Sequence, residues 1–338
     1  MISIAGLKQF GDHFRSLLNG QIKGSEGSVF SQHIEQARNY NHWYTGEAVM
    51  LRLQAITNYL FSEENLKRYE ALAVLKNGYK PKVVGVHSEE NIPLEEFSTL
   101  LAILLTGNAF IYHTNDRSDK LLPFVFNQLA VLLPDISSSV KFSDKHFKNI
   151  NAIVISKRID KHLFATGYFS KHPSLLEIRY PSVAIINGSE TPEELSHLAT
   201  DVFSFFGLGC GNVKKIFVPE GYDLKILFEA FEYKHPVIHI YPYANNYQYY
   251  QTVYLMNRIA HLDNGFLLLK EDKTFQSPTG VLYYEYYTDE KKLRAGLDEH
   301  NTFSYVYSRH PEGKGEKMFG ESVNQLTFPS EQLIKFLS

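Results

Sequence analysis

The sequence predicts an α/β fold in two successive halves, the first of them doubly wound. Three observations predict it. The chain has 338 residues, too many for one small core. Its composition is 44% apolar and 21% charged, enough to bury a large interior and still cover it. Short β-branched runs alternate with stretches of helical period from residue 82 onward.

Residues 4–75 read as helices joined by polar loops, and GEAVMLRLQAITNYL (46–60) places Val49, Leu53, Ile56 and Leu60 on one helical face. KVVGVHS (82–88) then reads as a strand. The following stretch is read as a helix with Pro93 in its first turn and an apolar stripe of Leu94, Phe97, Leu100, Leu101, Leu104 and Leu105. Gly107 suits the position just past its end. AFIYH (109–113) is the next strand, so strand, helix and strand form a right-handed βαβ unit. LLPFVFNQLAVLLP (121–134) reads as a helix and NAIVIS (151–156) as a strand. A half built this way often binds a nucleotide near its strand ends.

The second half opens with SVAIING (182–188), a strand. In TPEELSHLATDVFSFFGLG, Thr191 is the N-cap, Pro192 the first helical residue and Glu194 the partner in a capping box. Leu195, Leu198, Ala199, Val202, Phe203 and Phe206 fall on one face, and Gly207 or Gly209 is expected to end the helix. KKIFVP (214–219) is a strand, YDLKILFEAFEY (222–233) a helix, and the tyrosine-rich run from Tyr241 a helix ending near Asn257. GFLLLKE (265–271) and VLYYEYY (281–287) are strands, and 308–320 is a polar loop before a last strand and helix.

The bulk properties exclude several classes of function. A net charge of −3 suggests neither a nucleic-acid partner nor an anionic membrane surface. LLAILL (100–105) is far shorter than the roughly 20 residues of a membrane span, and the N-terminal residues do not read as a signal peptide. One cysteine makes no internal disulfide and no Cys-rich zinc site, and no spacing suggests a metal. A cytoplasmic, reducing location is expected.

That cysteine, Cys210, lies in FFGLGCGNV (205–213) between Gly209 and Gly211. The glycines allow backbone N–H groups and a bulky substrate to approach the sulfur. The preceding helix presents its C-terminus, which disfavours a thiolate. Lys214 and Lys215 are near in sequence. On these grounds a nucleophile and a structural thiol both stay open.

Residues 182–223, NNYQYYQTVYLMN, the Ser-Pro of FQSPTGVLYYEYYTDE (275–290) and MFG (318–320) resemble the LuxC-type acyl-CoA reductases of the aldehyde dehydrogenase superfamily. VVGVHSEENIPLEEFSTLLAILLTGNAFIYH resembles the family's strand, Asn-x-Pro turn, helix and strand, so the likeness runs from about residue 80 to 325 in the family's order. It implies an aldehyde dehydrogenase-like architecture: a Rossmann-type cofactor domain with N-terminal helices (1–176), an α/β catalytic domain with the nucleophilic cysteine (177–312) and a C-terminal return segment (313–338). It implies that Cys210 attacks an acyl-CoA or acyl-protein thioester and holds the acyl group until NADPH, or NADH, reduces it to aldehyde. Asn91 matches the amide that helps hold the oxyanion; on its own residues it also reads, with less weight, as a helix-entry residue beside Pro93. By resemblance alone a homodimer is one expected assembly.

The chain departs from the family at the cofactor. His113 stands where a ribose-contacting lysine is usual, and a histidine is shorter and mostly neutral; it also reads as a surface residue at a strand end. ISKRIDKH (155–162) replaces a Thr-Gly-Ser turn. Ser156 keeps the small size, while Lys157 and Arg158 grip a phosphate, block the site or face solvent. The hydrolytic base of the superfamily falls at Leu176, with Glu177 next to it, and its ribose-binding glutamate at Thr274. A missing base suits an enzyme that must not hydrolyse its acyl intermediate. His197 is expected to be a solvated histidine. A degenerate member that transfers acyl groups, or serves only as a binding partner, stays open beside the reductase.

Overall fold

The computed structural model describes the chain except residues 1, 23, 74–79, 89–90, 115–119, 146, 158–170, 179, 300–301, 314 and 325–328. The chain folds into two compact units, Met1–Arg179 with Leu326–Ser338, and Tyr180–Gln325. No helix among the described residues is long and apolar enough to cross a membrane.

The first unit begins with four helices, α1 (Ile4–Leu18), α2 (Ser25–Tyr40), α3 (Gly46–Ala55) and α4 (Glu63–Ala73). The helix expected over 46–60 changes at Ala55 into a wider π turn over Ile56–Leu60. Thr57 supplies the physical reason, because its hydroxyl donates to the carbonyls of Leu53 and Gln54 at 3.1 and 3.0 Å and competes with the helical ladder.

Strands β1 (Val83–His87), β2 (Ala109–His113), β3 (Val140–Ser143), β4 (Ala152–Lys157) and β5 (Ser174–Ile178) form a parallel sheet in the order β3-β2-β1-β4-β5. Helices α5 (Phe97–Leu105) and α6 (Leu121–Leu132) make the crossovers from β1 to β2 and toward β3. The chain steps outward from β1 to β3 and returns to the other side of β1 as β4, so the switch point lies between β1 and β4. Strands β3 and β5, four and five residues long, were not expected from sequence.

Helix α5 starts later than its Pro93 suggests. Leu94 has φ 53° and stops a helix from running back through it, and Tyr44 pins the turn by donating from its hydroxyl to the Ile92 carbonyl at 3.1 Å. The other end of α5 follows expectation. Gly107 has φ 71°, its N–H bonds Leu104 O, and the Asn108 N–H bonds Ile103 O, a Schellman closure. Phe97 through Leu105 are all buried, and the apolar ones join a core shared with α1–α4, α6 and strands β1, β2 and β4. The last helix, α11 (Glu331–Leu337), adds Leu333 and Leu337 to the same core. Its C-terminal carbonyls accept from Lys82 Nζ (Phe336 O, 3.3 Å) and Asn108 Nδ2 (Leu337 O, 3.1 Å).

The second unit contains β6 (Ser182–Ile185), α7 (Pro192–Phe203), β7 (Val213–Pro219), α8 (Lys225–Phe231), α9 (Tyr241–Met256), β8 (Leu262–Asp263), β9 (Leu268–Glu271), β10 (Val281–Tyr287), α10 (Glu290–Asp298), β11 (Val306–Ser308) and β12 (Glu316–Met318). Its seven strands run in the order β12-β11-β6-β7-β10-β9-β8, all pairs parallel except β8 with β9. Residues 313–325 thus belong to this unit and carry its edge strand, β12. One face of the sheet buries Val183, Ile185, Phe217 and Val306 against Leu297 of α10.

Candidate active site

Helix α7 leads the chain to Cys210. The capping box forms as the sequence predicts: Thr191 Oγ1 accepts from Glu194 N at 3.2 Å, and Glu194 Oε2 accepts from Thr191 N at 2.8 Å. The helix ends at Phe203, short of the expected glycines, so Phe206 is not on its apolar face. The reason is backbone geometry. Phe205 and Phe206 have φ 48° and 59°, in the left-handed region that bulky residues rarely enter. Gly207 follows at φ 70°, where an added Cβ would meet Val202 O at 3.1 Å and Lys214 Nζ at 3.2 Å. Of the three glycines around the cysteine, Gly207 alone has a positive φ.

Asn212 then clamps the turn. Its Oδ1 accepts from the Gly209 N–H at 2.6 Å, and its Nδ2 donates to the Asp201 carbonyl at 2.8 Å. The Asn212 N–H closes the loop onto Gly209 O at 3.1 Å. From the sheet, Ser182 Oγ donates to the Cys210 carbonyl at 2.8 Å, and the Ser182 N–H bonds Asn212 O at 2.9 Å. Ser182 and Asn212 are buried, whereas Cys210 is a free, half-buried thiol. A register shift between Ser182 and Val183 gives β7 one extra residue beside the turn, the kind of bulge that re-aims chain next to a functional site.

The two lysines after the cysteine part company. Lys214 reaches Gly207. Lys215 is buried on the other face of the sheet, 2.5 Å from Glu285 and over the rings of Phe217 and Phe275. It holds the fold and not the sulfur.

Two groups missed in the sequence stand near the turn. Asp201, on α7, is fully buried. Its two carboxylate oxygens accept from the N–H groups of Gly320 (2.7 Å) and Ser322 (2.9 Å). Burial pushes its carboxyl up to about 6, and those two N–H groups act against that rise. Tyr307, on β11, is also fully buried, and its hydroxyl has no hydrogen-bond partner among the described residues. Burial pushes that phenol far above its ordinary value, and Asp201, Tyr305, Cys210 and Glu321, in that order, act in the same direction. The one available signal was an acidic residue, Asp201, beside the apolar stripe of α7. His197 is exposed, as expected, and Gly320 packs against it.

The remaining sequence-predicted residues lie in the first unit. Asn91 is half-buried after β1, and no described residue hydrogen-bonds its amide. His113 ends β2, half-buried, with its ring 5.4 Å from that of His87 and 5.9 Å from that of Phe147. Ser156, next to last in β4, is buried and donates its hydroxyl to Glu96 Oε2 at 3.0 Å. Lys157 ends β4, and Arg158 lies outside the described residues. Glu177 sits on β5, its carboxylate accepting from Thr99 (3.5 Å) and Ser330 (3.3 Å). Thr274, in the second unit, caps Asp272 through its N–H and hydroxyl, at 2.9 and 2.8 Å.

No family model matches the chain, and no curated protein matches it in sequence. Solved structures match it in fold. A salicylaldehyde dehydrogenase from Pseudomonas putida G7, complexed with salicylaldehyde, superposes with a TM-score of 0.59 at 8% identity over 91% of this chain and 73% of its own. An engineered glycolyl-CoA reductase with bound NADP+ gives 0.57 at 11% identity, covering 91% and 78%. A Rhodopseudomonas palustris propionaldehyde dehydrogenase, with bound CoA and an acylated cysteine, gives 0.54 at 10% identity, covering 91% and 78%. These likenesses establish an aldehyde dehydrogenase fold.

Proposed function

We propose that this chain takes an acyl group from a thioester, a fatty acyl-CoA or an acyl-protein thioester, onto Cys210 and releases it as an aldehyde. The observation that carries the reading is the Cys210 turn, a half-buried thiol held from both sides by buried Ser182 and Asn212. A turn fixed at its backbone presents one sulfur in one place, as covalent catalysis needs. The resemblance of residues 182–223 to LuxC-type acyl-CoA reductases, and the fold shared with a reductase and with an acylated dehydrogenase, support a thioester as substrate.

The Cys210 thiolate adds to the thioester carbonyl, and the carbon–sulfur bond to the donor breaks, releasing the donor as a thiolate that takes its proton from solvent. Asn91, whose amide no described residue engages, is the proposed side-chain donor to the oxyanion. The first unit fits a nicotinamide dinucleotide, NADPH or NADH, in its framework: a parallel doubly wound sheet with a switch point between β1 and β4. Its side chains fit less well. Ser156 spends its hydroxyl on the buried carboxylate Glu96, and His113 packs among His87 and Phe147. Lys157 and Arg158 are the proposed phosphate contacts. Bound reduced nicotinamide supplies the hydride that converts the acyl thioester to aldehyde and returns the cysteine. A reducing cytoplasm suits the single thiol, and a homodimer is the assembly proposed.

The Ser156–Glu96 bond favours one rival, acyl transfer through Cys210 with no redox step. Intact mass after incubation with acyl-CoAs of mixed length, for wild type and Cys210→Ser, with and without NADPH or NADH, decides between them. A wild-type adduct discharged as aldehyde by reduced nicotinamide supports the reductase. An adduct that persists with either cofactor supports acyl transfer. The absence of any adduct overturns both.

A further inference from the structure

Tyr307 is a buried phenol whose hydroxyl has no partner among the described residues. A buried hydroxyl left unbonded is costly, so such a group commonly awaits a partner that arrives in another state of the site. The strand register says where this one points. In the parallel pair of β11 with β6, Tyr307 lies opposite Ala184 and Val306 opposite Val183. Val306 and Val183 share the face packed against Leu297. Tyr307 therefore takes the other face, with Ala184 and, two residues back on β6, Ser182. Ser182 is the residue whose hydroxyl holds the Cys210 carbonyl at 2.8 Å. The Asp201 main chain, bonded to Asn212, belongs to the same cluster. The charges of Asp201 and Cys210 both bear on the Tyr307 hydroxyl.

We propose that Tyr307 is the hydrogen-bond donor to the Cys210 sulfur: the free Cys210 side chain rotates until its thiolate accepts from the Tyr307 O–H, which stabilises it for attack. No bond is made or broken in this contact, and the phenol keeps its proton throughout. Asp201 is not an equivalent candidate, since both its oxygens already accept from backbone N–H groups. Nor does Lys215 compete, because it is committed to Glu285 on the opposite face. The inference deepens the reading of Cys210 as a nucleophile and rests on it.

The test is the pH profile of iodoacetamide alkylation of Cys210, the only thiol in the chain, for wild type and Tyr307→Phe. Loss of a donor to a charged acceptor lowers the thiolate population at neutral pH about tenfold. The freed thiolate is intrinsically more nucleophilic, which returns part of that factor. Alkylation at pH 7 is therefore expected to slow about three- to fivefold, the midpoint of the profile to move up by about one pH unit, and the rate at high pH to equal or exceed that of wild type. A profile that superposes on wild type, or one scaled by the same factor at every pH, overturns the proposal. Should Tyr307→Phe fail to fold, 3-fluorotyrosine placed at position 307 keeps the hydroxyl. Its fluorine resonance is expected to titrate with the thiol and to shift on alkylation, and to do neither in Cys210→Ser; an unresponsive resonance overturns the proposal equally. Alkylation needs no acyl donor, so absence of an acyl adduct leaves this result standing and is separately visible.

Discussion

Replacing Asn212 by alanine tests whether the cysteine turn is held as described. The substitution deletes an acceptor for the Gly209 N–H and a donor to the Asp201 carbonyl, at 2.6 and 2.8 Å, from a site that is 2% exposed. Gly209 is half-buried, so water reaches its freed N–H in part and that loss is about 1 kcal/mol. Asp201 is fully buried, and its stranded carbonyl costs about 2 kcal/mol. The expected loss is about 3 kcal/mol, or about 10 °C in the midpoint of the second unit. The assay is calorimetry with far-ultraviolet circular dichroism. Tryptophan fluorescence is the wrong probe, because the single tryptophan, Trp43, belongs to the first unit. Asn212→Asp makes the reasoning sharper. It keeps the acceptor for Gly209 but sets a carboxylate oxygen against the Asp201 carbonyl, so it is expected to cost at least as much. A loss below about 1 kcal/mol for alanine, or tolerance of aspartate, refutes the clamp.

Two further outcomes follow from the same unit. Asp201 has a folded value of about 6 against 3.8 for the free group, so the folded state holds its proton more tightly. The associated stability is present below about pH 4 and is lost as the pH rises through about 6; at about 1.4 kcal/mol per unit it amounts to about 3 kcal/mol. Urea titrations at a series of pH values are expected to show the advantage of wild type over Asp201→Asn shrinking by about that amount between about pH 3 and 7, and a constant gap contradicts the linkage. Gly280 has φ +84°, and an added Cβ would lie 2.9 Å from Tyr247 Cα, whereas Gly221, at φ +81°, has nothing within 4 Å. Gly280→Ala is expected to cost about 1–3 kcal/mol more than Gly221→Ala in thermal unfolding, the increment being crowding alone. Equal losses refute the close approach.

What the sequence disclosed was local. The capping box at Thr191 and Glu194 and the glycine closure at Gly107 involve residues within one turn, and both formed as predicted. The strand-helix-strand order around residues 82–113 was equally readable, since each element has its own period. The short strands β3 and β5 were not, because four or five residues carry too little alternation to stand out. The end of α7 differs for another reason: nothing in Phe205 or Phe206 announces the left-handed backbone that both adopt. At the cysteine the glycines drew attention to the right turn, yet its clamp reaches from Asn212 back to Asp201, eleven residues away. Tyr307 was invisible. Its place beside the turn depends on β11 pairing with β6, strands separated by more than a hundred residues and joined in no sequence pattern.

The helix α11 has a consequence for how the protein is made. The first unit draws its core from two stretches of chain, and Leu333 and Leu337 fill positions in it that are almost wholly sealed from water. Everything from Tyr180 to Gln325 is synthesised between them. At a ribosomal pace of about 5–20 residues per second, the nascent first unit waits roughly ten to thirty seconds with an apolar slot beside α5 still open. The second unit, continuous in sequence, meets no such delay. The part of the protein that emerges first is therefore the part that closes last.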